Sequence, residues 1–321
     1  MTDPKDAQRL QLEADLTSFR ILELRLAPVV GEFDVAHLRE IHRRIFQDLP
    51  SVGFSGVTPG EFRPPVDASV TWMKHRVLES ASGPLFVAYS KMDAAALQRL
   101  EQVLERNPVN ALAQLDPKEF GVVFSRIYSE LDYVHPFLDG NSRTLRSFTS
   151  QLAEQAGYVI EWERFAASPQ GRDALYIARD LTVNKLAKPG IEHPNSIMRI
   201  VGSMARLQGK PELSELLADA IRPGRAVAFE RTERDQAIKA FPELVPAYDV
   251  LDAASRYMAS KGWDAEKTNT TMQDVKASLI AKMNGGEVVR YDQRNIEQAK
   301  IPVRTRLQSG RDPQDATDLD R

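Results

Sequence analysis

One short segment of the sequence, HPFLDGNSRTLR from His135 to Arg146, gathers side chains that can carry out acid–base and phosphate chemistry. His135 titrates near neutrality and can accept a proton from a hydroxyl. Asp139 can be a ligand for Mg2+, an ion that proteins hold with one or two carboxylates plus phosphate oxygens. Arg143 and Arg146 lie three residues apart and can bind phosphates with bidentate geometry. The segment therefore predicts transfer of a phosphate-containing group to a hydroxyl.

Two predicted helices hold this segment between them. The first lies in LDPKEFGVVFSRIYSEL, where Asp116 can cap the helix, Pro117 takes the first helical position and Glu119 completes a capping box. The second lies in RTLRSFTSQLAEQAGY, where apolar residues recur three to four apart and Gly157 ends the helix. The segment is therefore predicted to be a tight connection between two helices.

The residues Gly140, Asn141 and Ser142 fall at the N-terminus of the second helix. The N–H groups in the first turn of a helix have no internal partner, and the helix dipole adds partial positive charge there. Glycine also lets a ligand approach the backbone closely. These three residues are therefore predicted to form an anion hole for phosphate. Phe137 is predicted to turn inward, anchoring the loop and setting where His135 points.

Most of the remaining sequence also shows helical spacing. Helices are predicted over 10–26, 33–49, 93–105, 172–186 and 192–207, and again in PELVPAYDVLDAASRYMASKG and TMQDVKASLIAKMNGGE. The run LFVA instead predicts a short strand, one arm of a hairpin with the turn SASG. The last residues, 301–321, are charged with almost no apolar side chains, and are predicted to be a disordered tail.

Composition narrows the classes of function. The chain has 321 residues, a net charge of -3 and a pI of about 6.0, which does not indicate a general role in nucleic-acid binding. It contains no cysteine, so disulfides, thiolate catalysis and cysteine-ligated zinc are excluded. The N-terminus is polar and no apolar run approaches the ~20 residues that span a bilayer. A cytoplasmic protein that does not act at a membrane is expected.

Plainer interpretations stay open beside the catalytic one. DGNS alone is a common turn, and two arginines on one helix face can be a surface pair. His37 and His42 are five apart and do not predict a zinc site. Trp72 and Trp162 are expected to pack in the core or beside the hairpin, and GRAVAFERTER is expected to be a salt-bridged surface. A helical binding or scaffold module without catalysis is therefore the alternative.

The order of residues in HPFLDGNSRTLR closely resembles the signature of the Fic family, H-P-F-x-D/E-G-N-G-R-x-x-R. FDVAHLREIHRRIF followed by GVTPGEFRP looks like the helix and the glycine–arginine loop that precede it in the family. LFVAYSKMDAAALQRLEQVLE and AEQAGYVIEWERF resemble the segments after the flap and after the second helix. The resemblance covers roughly 33–186 and is most specific at the signature.

This resemblance implies an all-α fold: a Fic-type helical core with a small β-hairpin flap, here followed by a C-terminal helical extension. It also implies transfer of AMP from ATP to a Ser, Thr or Tyr hydroxyl of a target protein. His135 would be the general base and Asp139 would hold Mg2+. Gly140, Asn141 and Ser142 would form the anion hole, with Arg143 and Arg146 on the β- and γ-phosphates. The flap, within 64–88, would align the target like an added strand.

Two departures from the family pattern matter. Ser142 replaces the usual second glycine. A serine there would be strained only if its φ had to be positive. Many family members also carry an inhibitory helix, S/T-x-x-x-E-G/N, but no glutamate in this sequence is followed by Gly or Asn. A separate antitoxin-like protein is therefore expected to supply that motif, unless control is different. Another nucleotide or phosphate donor in place of ATP also stays open.

The predicted organisation has four parts. These are an N-terminal helix (1–32), a Fic domain (33–205), a C-terminal helical region (206–300) of unassigned role, and the tail (301–321). The expected location is the bacterial cytoplasm, or a host cell reached through a secretion system if the protein is an effector.

Overall fold

The computed structural model of the protein describes residues 4–79 and 83–291. Its fold is mainly α, as predicted, with two small antiparallel sheets. The helices are α1 (Pro4–Leu26), α2 (Val35–Phe46), α3 (Ala94–Glu105), α4 (Val109–Leu112), α5 (Pro117–Val134), α6 (Asn141–Gln155), α7 (Glu163–Ala166), α8 (Pro169–Ala187), α9 (Pro194–Arg206), α10 (Leu213–Ala218), α11 (Gly224–Arg231), α12 (Arg234–Ala240), α13 (Val245–Ser260) and α14 (Ala265–Asn284). The strands are β1 (Met73–Arg76), β2 (Leu85–Ala88), β3 (Tyr158–Ile160) and β4 (Ile221–Pro223).

Helix α5 lies at the centre and leads directly to the candidate site. Asp116 accepts the N–H groups of Lys118 and Glu119 at 2.8 Å, and Glu119 accepts the N–H of Asp116 at 3.3 Å. This is the predicted capping box, and it sets where the helix begins. Helix α5 packs against α3, α6, α8 and α10, so its C-terminal end is surrounded by protein.

Two hydrophobic clusters make up most of the interior. The larger one includes α2, α5 and α6, and also takes in Leu24 of α1 and Leu213, Leu217 and Ile221 from beyond residue 206. A second cluster lies within α11–α14 and includes Phe229, Tyr248 and Met283. The larger cluster includes residues on both sides of the predicted domain boundary at 206. The four-part division stays a prediction.

Strands β1 and β2 form the predicted hairpin, with Met73 opposite Ala88 and Arg76 opposite Leu85. Side chains cover the outer edge of β2: Ser203 accepts the Phe86 N–H at 2.9 Å, and Asn184 accepts the Ala88 N–H at 3.0 Å. The turn SASG lies mostly outside the described residues. Strands β3 and β4 pair with each other, which the sequence analysis did not predict.

Helix α1 is present as predicted, but its apolar residues divide between two sides. Leu24 is buried in the larger cluster, whereas Phe19, Leu22 and Leu26 are exposed. The tail 301–321 lies outside the described residues. Within the described ranges, no helix is long and apolar enough to cross a membrane.

Candidate active site

His135 ends helix α5 in the left-handed conformation, with φ 49° and ψ 60°. Its N–H donates to the Leu131 carbonyl at 3.1 Å, so the residue still closes the last turn of the helix. A non-glycine residue in this region costs ~1–2 kcal/mol. Backbone strain of this kind concentrates at functional sites, where the surrounding structure holds it in place.

The imidazole of His135 lies against two aromatic rings, and the residue as a whole is 5% exposed. Its centroid is 3.8 Å from that of Tyr89 and 5.3 Å from that of Trp72. Neither ring nitrogen has a hydrogen-bond partner among the described residues. Burial lowers the pKa of His135 to about 4, and the nearby Asp132 carboxylate offsets only part of that effect. The ring is therefore neutral at pH 7, the form that can accept a proton.

Arg63 clamps the backbone around His135. Its Nε donates to the His135 carbonyl at 2.8 Å and its Nη2 to the Ser90 carbonyl at 2.7 Å, while its own N–H donates to the Pro136 carbonyl at 2.9 Å. The guanidinium also lies 3.7 Å from the centroid of the Trp72 ring. Burial lowers the pKa of Arg63 to about 10, so it stays charged at neutral pH. The sequence analysis gave this arginine no role.

Phe137 is fully buried, as predicted, and its ring stacks on His42 with centroids 3.8 Å apart. His42 accepts the Gly60 N–H on Nδ1 at 2.8 Å, and its Nε2 lies 3.3 Å from the Asp139 carbonyl. His42 therefore ties the signature loop to the loop around Gly60. The sequence analysis considered His42 only as a metal ligand and missed this role.

Gly140 begins the turn into α6 with φ 74°. A Cβ on this residue would lie 2.1 Å from an atom of the Phe46 ring, so a side chain has no room. The Asn141 amide then closes the loop: its oxygen accepts the Phe137 N–H at 3.0 Å, and its nitrogen donates to the Phe137 carbonyl at 2.6 Å. The side chain of Asn141 is thus used within the protein, and only its backbone N–H is available to a ligand.

The first turn of α6 has the character of an anion site. Gly140 supplies no side-chain cap, and the first internal bond runs from the Thr144 N–H to the Gly140 carbonyl. The N–H groups of 141–143 have no acceptor among the described residues, whereas the Gly140 N–H donates to the Asp139 carboxylate at 2.7 Å. Ser142 is not among the described residues with positive φ, so serine causes no backbone strain at this position.

The two signature arginines have different surroundings. Arg143 donates to Glu13 at 2.5 Å and to the Thr17 hydroxyl at 3.0 Å, both on α1. Arg146 donates to the hydroxyl and the carbonyl of Ser142, at 2.9 and 3.3 Å. Both arginines line a cavity of about 540 Å³ between α1, α6 and the segment around β3. The contact of Glu13 with Arg143 was not predicted, since the two residues are 130 positions apart in sequence.

Asp139 is exposed at the mouth of the site, with one carboxylate oxygen bonded to the Gly140 N–H. Within the described ranges, no group of three or more His, Asp or Glu residues is arranged to hold a metal ion. A single exposed carboxylate fits the way Mg2+ is carried in phosphate sites, where phosphate oxygens and water complete its coordination.

A buried ion pair lies beside His135. Arg179 of α8 donates to both oxygens of Asp132, at 2.9 and 3.0 Å, and to the Ser142 hydroxyl at 3.2 Å. Asp132 Oδ1 is 3.6 Å from Nδ1 of His135. Burial raises the pKa of Asp132, but Arg179 and His135 outweigh this and hold that pKa well below its usual range. The only sequence signal for Asp132 was an acid three residues before His135, one helical turn away.

Comparison with known proteins identifies the family of this chain. The sequence profile described as the Fic/DOC family matches residues 32–153. A Salmonella typhimurium protein named "Probable protein adenylyltransferase Fic" is 30% identical over 161 residues, which cover 50% of this chain and 69% of that protein. The chain belongs to the Fic/DOC family. The resemblance seen in HPFLDGNSRTLR is thereby confirmed.

Some of the relatives are longer than this chain. Protein adenylyltransferase VbhT of Bartonella schoenbuchensis is 30% identical over 161 residues, 50% of this chain but 29% of that protein. The chain likewise spans only 26% of a Bartonella henselae protein named "Protein adenylyltransferase", so it covers less than a third of either relative. Among solved structures, the N-terminal Fic domain of a VirB-translocated Bep effector protein from Bartonella quintana, with bound ADP, is 21% identical. That similarity covers 70% of this chain and 88% of the other, with a TM-score of 0.42.

Proposed function

We propose that this Fic protein transfers AMP from ATP to a Ser, Thr or Tyr hydroxyl of a target protein. One observation carries the proposal. Among the described residues, the ring nitrogens of the neutral, buried His135 have no hydrogen-bond partner, and the first three N–H groups of the adjoining helix α6 have no acceptor. The first group can take a proton and the second can bind phosphate. Its relatives, which are named protein adenylyltransferases, support the same reaction.

In the proposed reaction, the target hydroxyl oxygen attacks the α-phosphorus of ATP and loses its proton to Nε2 of His135. The bond from the α-phosphorus to the bridging oxygen breaks, and pyrophosphate leaves with the bond electrons. Transition-state charge on the phosphate oxygens falls beside the N–H groups of 141–143 and the side chains of Arg143 and Arg146. Asp139 would hold Mg2+, which would neutralise charge on the phosphates of ATP.

Nucleotide binding must change the contacts of Arg143. In the structure this arginine is paired with Glu13, so a β- or γ-phosphate has to replace that carboxylate. The pair is partly solvent-exposed, with 28% of the Arg143 side chain and 18% of the Glu13 side chain accessible. Exchange of one anion for another at such a site is inexpensive, because partly exposed pairs contribute only ~0–1 kcal/mol.

We propose that the target docks on the outer edge of β1. The side chains of Ser203 and Asn184 cover the outer edge of β2, which leaves β1 as the open side of the hairpin. The register turns the main-chain groups of Met73 and His75 away from β2. An extended segment of the target can pair with these groups and bring its hydroxyl toward His135, next to Trp72.

Control by a second protein is also part of the proposal. Glu13 engages the first signature arginine, whereas no carboxylate within residues 4–79 and 83–291 forms an ion pair with Arg146. A separate antitoxin-like protein that supplies S/T-x-x-x-E-G/N could pair with Arg146 and exclude the γ-phosphate. The proposed location is a separate point: the protein works in the bacterial cytoplasm, or in a host cell after secretion.

The test is transfer of label from nucleotide to protein. The purified chain is incubated with Mg2+, a host lysate and ATP labelled on either the α- or the γ-phosphate, and proteins are examined for label and for the mass of AMP. Label from the α-position is expected, with loss in His135→Ala and retention in His193→Ala, a change at an exposed histidine outside the site. Transfer of the γ-label alone would indicate phosphorylation. If neither label reaches protein, with ATP or with other nucleotides, the chain is a binding module without catalysis.

A further inference from the structure

Asp132 and Arg179 form the most deeply buried ion pair beside the base, with 1% and 2% of their side chains exposed. Removing two charges from water costs several kcal/mol per ion, so a pair of this kind is weak evidence for stability alone. The placement of Asp132 suggests another use. It lies one turn before His135 on α5, and Oδ1 is 3.6 Å from Nδ1 of the imidazole.

Arg179 connects this carboxylate to the phosphate-binding turn. Two of its nitrogens, Nε and Nη2, donate to Asp132, and Nη1 donates to the Ser142 hydroxyl at 3.2 Å. Arg146 donates to the same hydroxyl at 2.9 Å. The oxygen of Ser142 therefore accepts hydrogen bonds from two guanidinium groups. A glycine, which the family signature has at this position, could not make this connection.

We propose that Asp132 is a positioning residue for His135: its carboxylate, held by Arg179 and through it by Ser142, accepts the Nδ1 proton and leaves Nε2 as the basic nitrogen. The proposal rests on the role of His135 as general base. A separation of 3.6 Å is longer than a hydrogen bond, and we expect it to shorten when nucleotide and target are bound. The negative charge also stabilises the imidazolium that forms when the proton is taken up.

Several other groups face the imidazole. Lys74 of β1 and Arg179 of α8 both oppose positive charge on it, and Asp132 on its own helix favours that charge. Tyr89 and Trp72 cover the ring, and Arg63 binds its carbonyl. Asp132 is the anionic acceptor among these groups, and it faces Nδ1, so it favours a proton on that nitrogen.

The tautomer of His135 tests the proposal directly. In long-range 1H–15N spectra of the full chain at pH 7, with the signal assigned from His135→Gln, we expect a proton on Nδ1. In Asp132→Asn, Arg179 should retain the amide oxygen and turn the NH2 group toward Nδ1, which favours a proton on Nε2. A wild-type ring protonated on Nε2 would overturn the proposal, whether or not Asp132→Asn folds.

Kinetics give the second measurement. In Asp132→Asn we expect kcat for AMP transfer to fall about 100-fold, with KM for ATP within about threefold, because general-base catalysis contributes ~10²–10⁴-fold. The matched control is Asp180→Asn, which breaks the neighbouring buried pair of Asp180 with Arg76 and should leave the His135 tautomer unchanged. An unchanged tautomer and kcat in folded Asp132→Asn would contradict the positioning role while AMP transfer itself stands. Absence of AMP transfer would contradict the proposed function but leave the tautomer measurement valid.

Discussion

Two arginine–carboxylate pairs flank the signature, and they differ in burial. Arg179 and Asp132 are almost completely enclosed and share two hydrogen bonds, whereas Arg143 and Glu13 remain partly open to solvent. A buried pair is expensive to break because one charge is left without a partner, but a partly exposed pair can exchange one anion for another. The first pair is therefore suited to holding a base in place, and the second to giving way to phosphate.

Breaking the buried pair should have the largest effect. Arg179→Leu leaves the Asp132 carboxylate buried without its partner, and we expect the free energy of unfolding to fall by ~3–5 kcal/mol. The matched change Arg143→Leu should cost no more than ~1 kcal/mol. Chemical denaturation of both variants measures the difference. Equal losses of unfolding free energy in the two variants would show that the difference in burial does not change what each pair contributes to stability.

The second largest effect should be a loss of stability in acid, caused by the buried His135. The pKa of His135 is about 4 in the folded protein and ~6.5 when unfolded, so the unfolded state binds more protons between these values. Stability should therefore decrease as pH falls from 6.5 toward 4, by on the order of 2–3 kcal/mol from this group. Denaturation curves at several pH values should show a shallower decrease for His135→Gln. His193→Gln is the control. If stability depends on pH in His135→Gln as it does in the wild type, the low pKa does not belong to His135.

Neutralising Glu13 in the partly exposed pair should have a smaller effect, which is an increase in affinity for nucleotide. In Glu13→Gln, phosphate no longer competes with a carboxylate for Arg143, so affinity for Mg2+–ATP should rise about two- to fivefold. Calorimetric titration measures this change. The control is Glu23→Gln on the same helix, which removes a carboxylate paired with Arg20. Weaker binding in Glu13→Gln would mean that Glu13 assists the nucleotide.

Salt should produce the smallest change. At ~0.5 M NaCl the Debye length is only a few Å, so the gain in affinity from Glu13→Gln should shrink toward none. The loss of stability in Arg179→Leu should persist, because the buried pair is screened much less. Repeating the titration and the denaturation at low and high salt compares the two pairs in one experiment. A salt-sensitive effect of Arg179→Leu would be inconsistent with its burial.

Much of the fold near the site followed from local sequence patterns. The capping box of Asp116 and Glu119, the turn at Gly140 and the inward Phe137 all depend on residues a few positions apart. The hairpin was also predicted from LFVA. The pairing of β3 with β4 was not, because two strands of three residues carry little periodicity and lie far apart in sequence.

The sequence alone determined the chemical groups of the candidate site and the helix start that presents them, because backbone sterics and capping act over a few residues. Tertiary structure decided which groups are paired. Glu13 meets Arg143 across 130 positions and Arg179 meets Asp132 across 47, and no local rule links such residues. It also decided that serine at 142 is unstrained and bound by two arginines. The physical reason is that charge pairing depends on distance and burial, which exist only once the helices have packed.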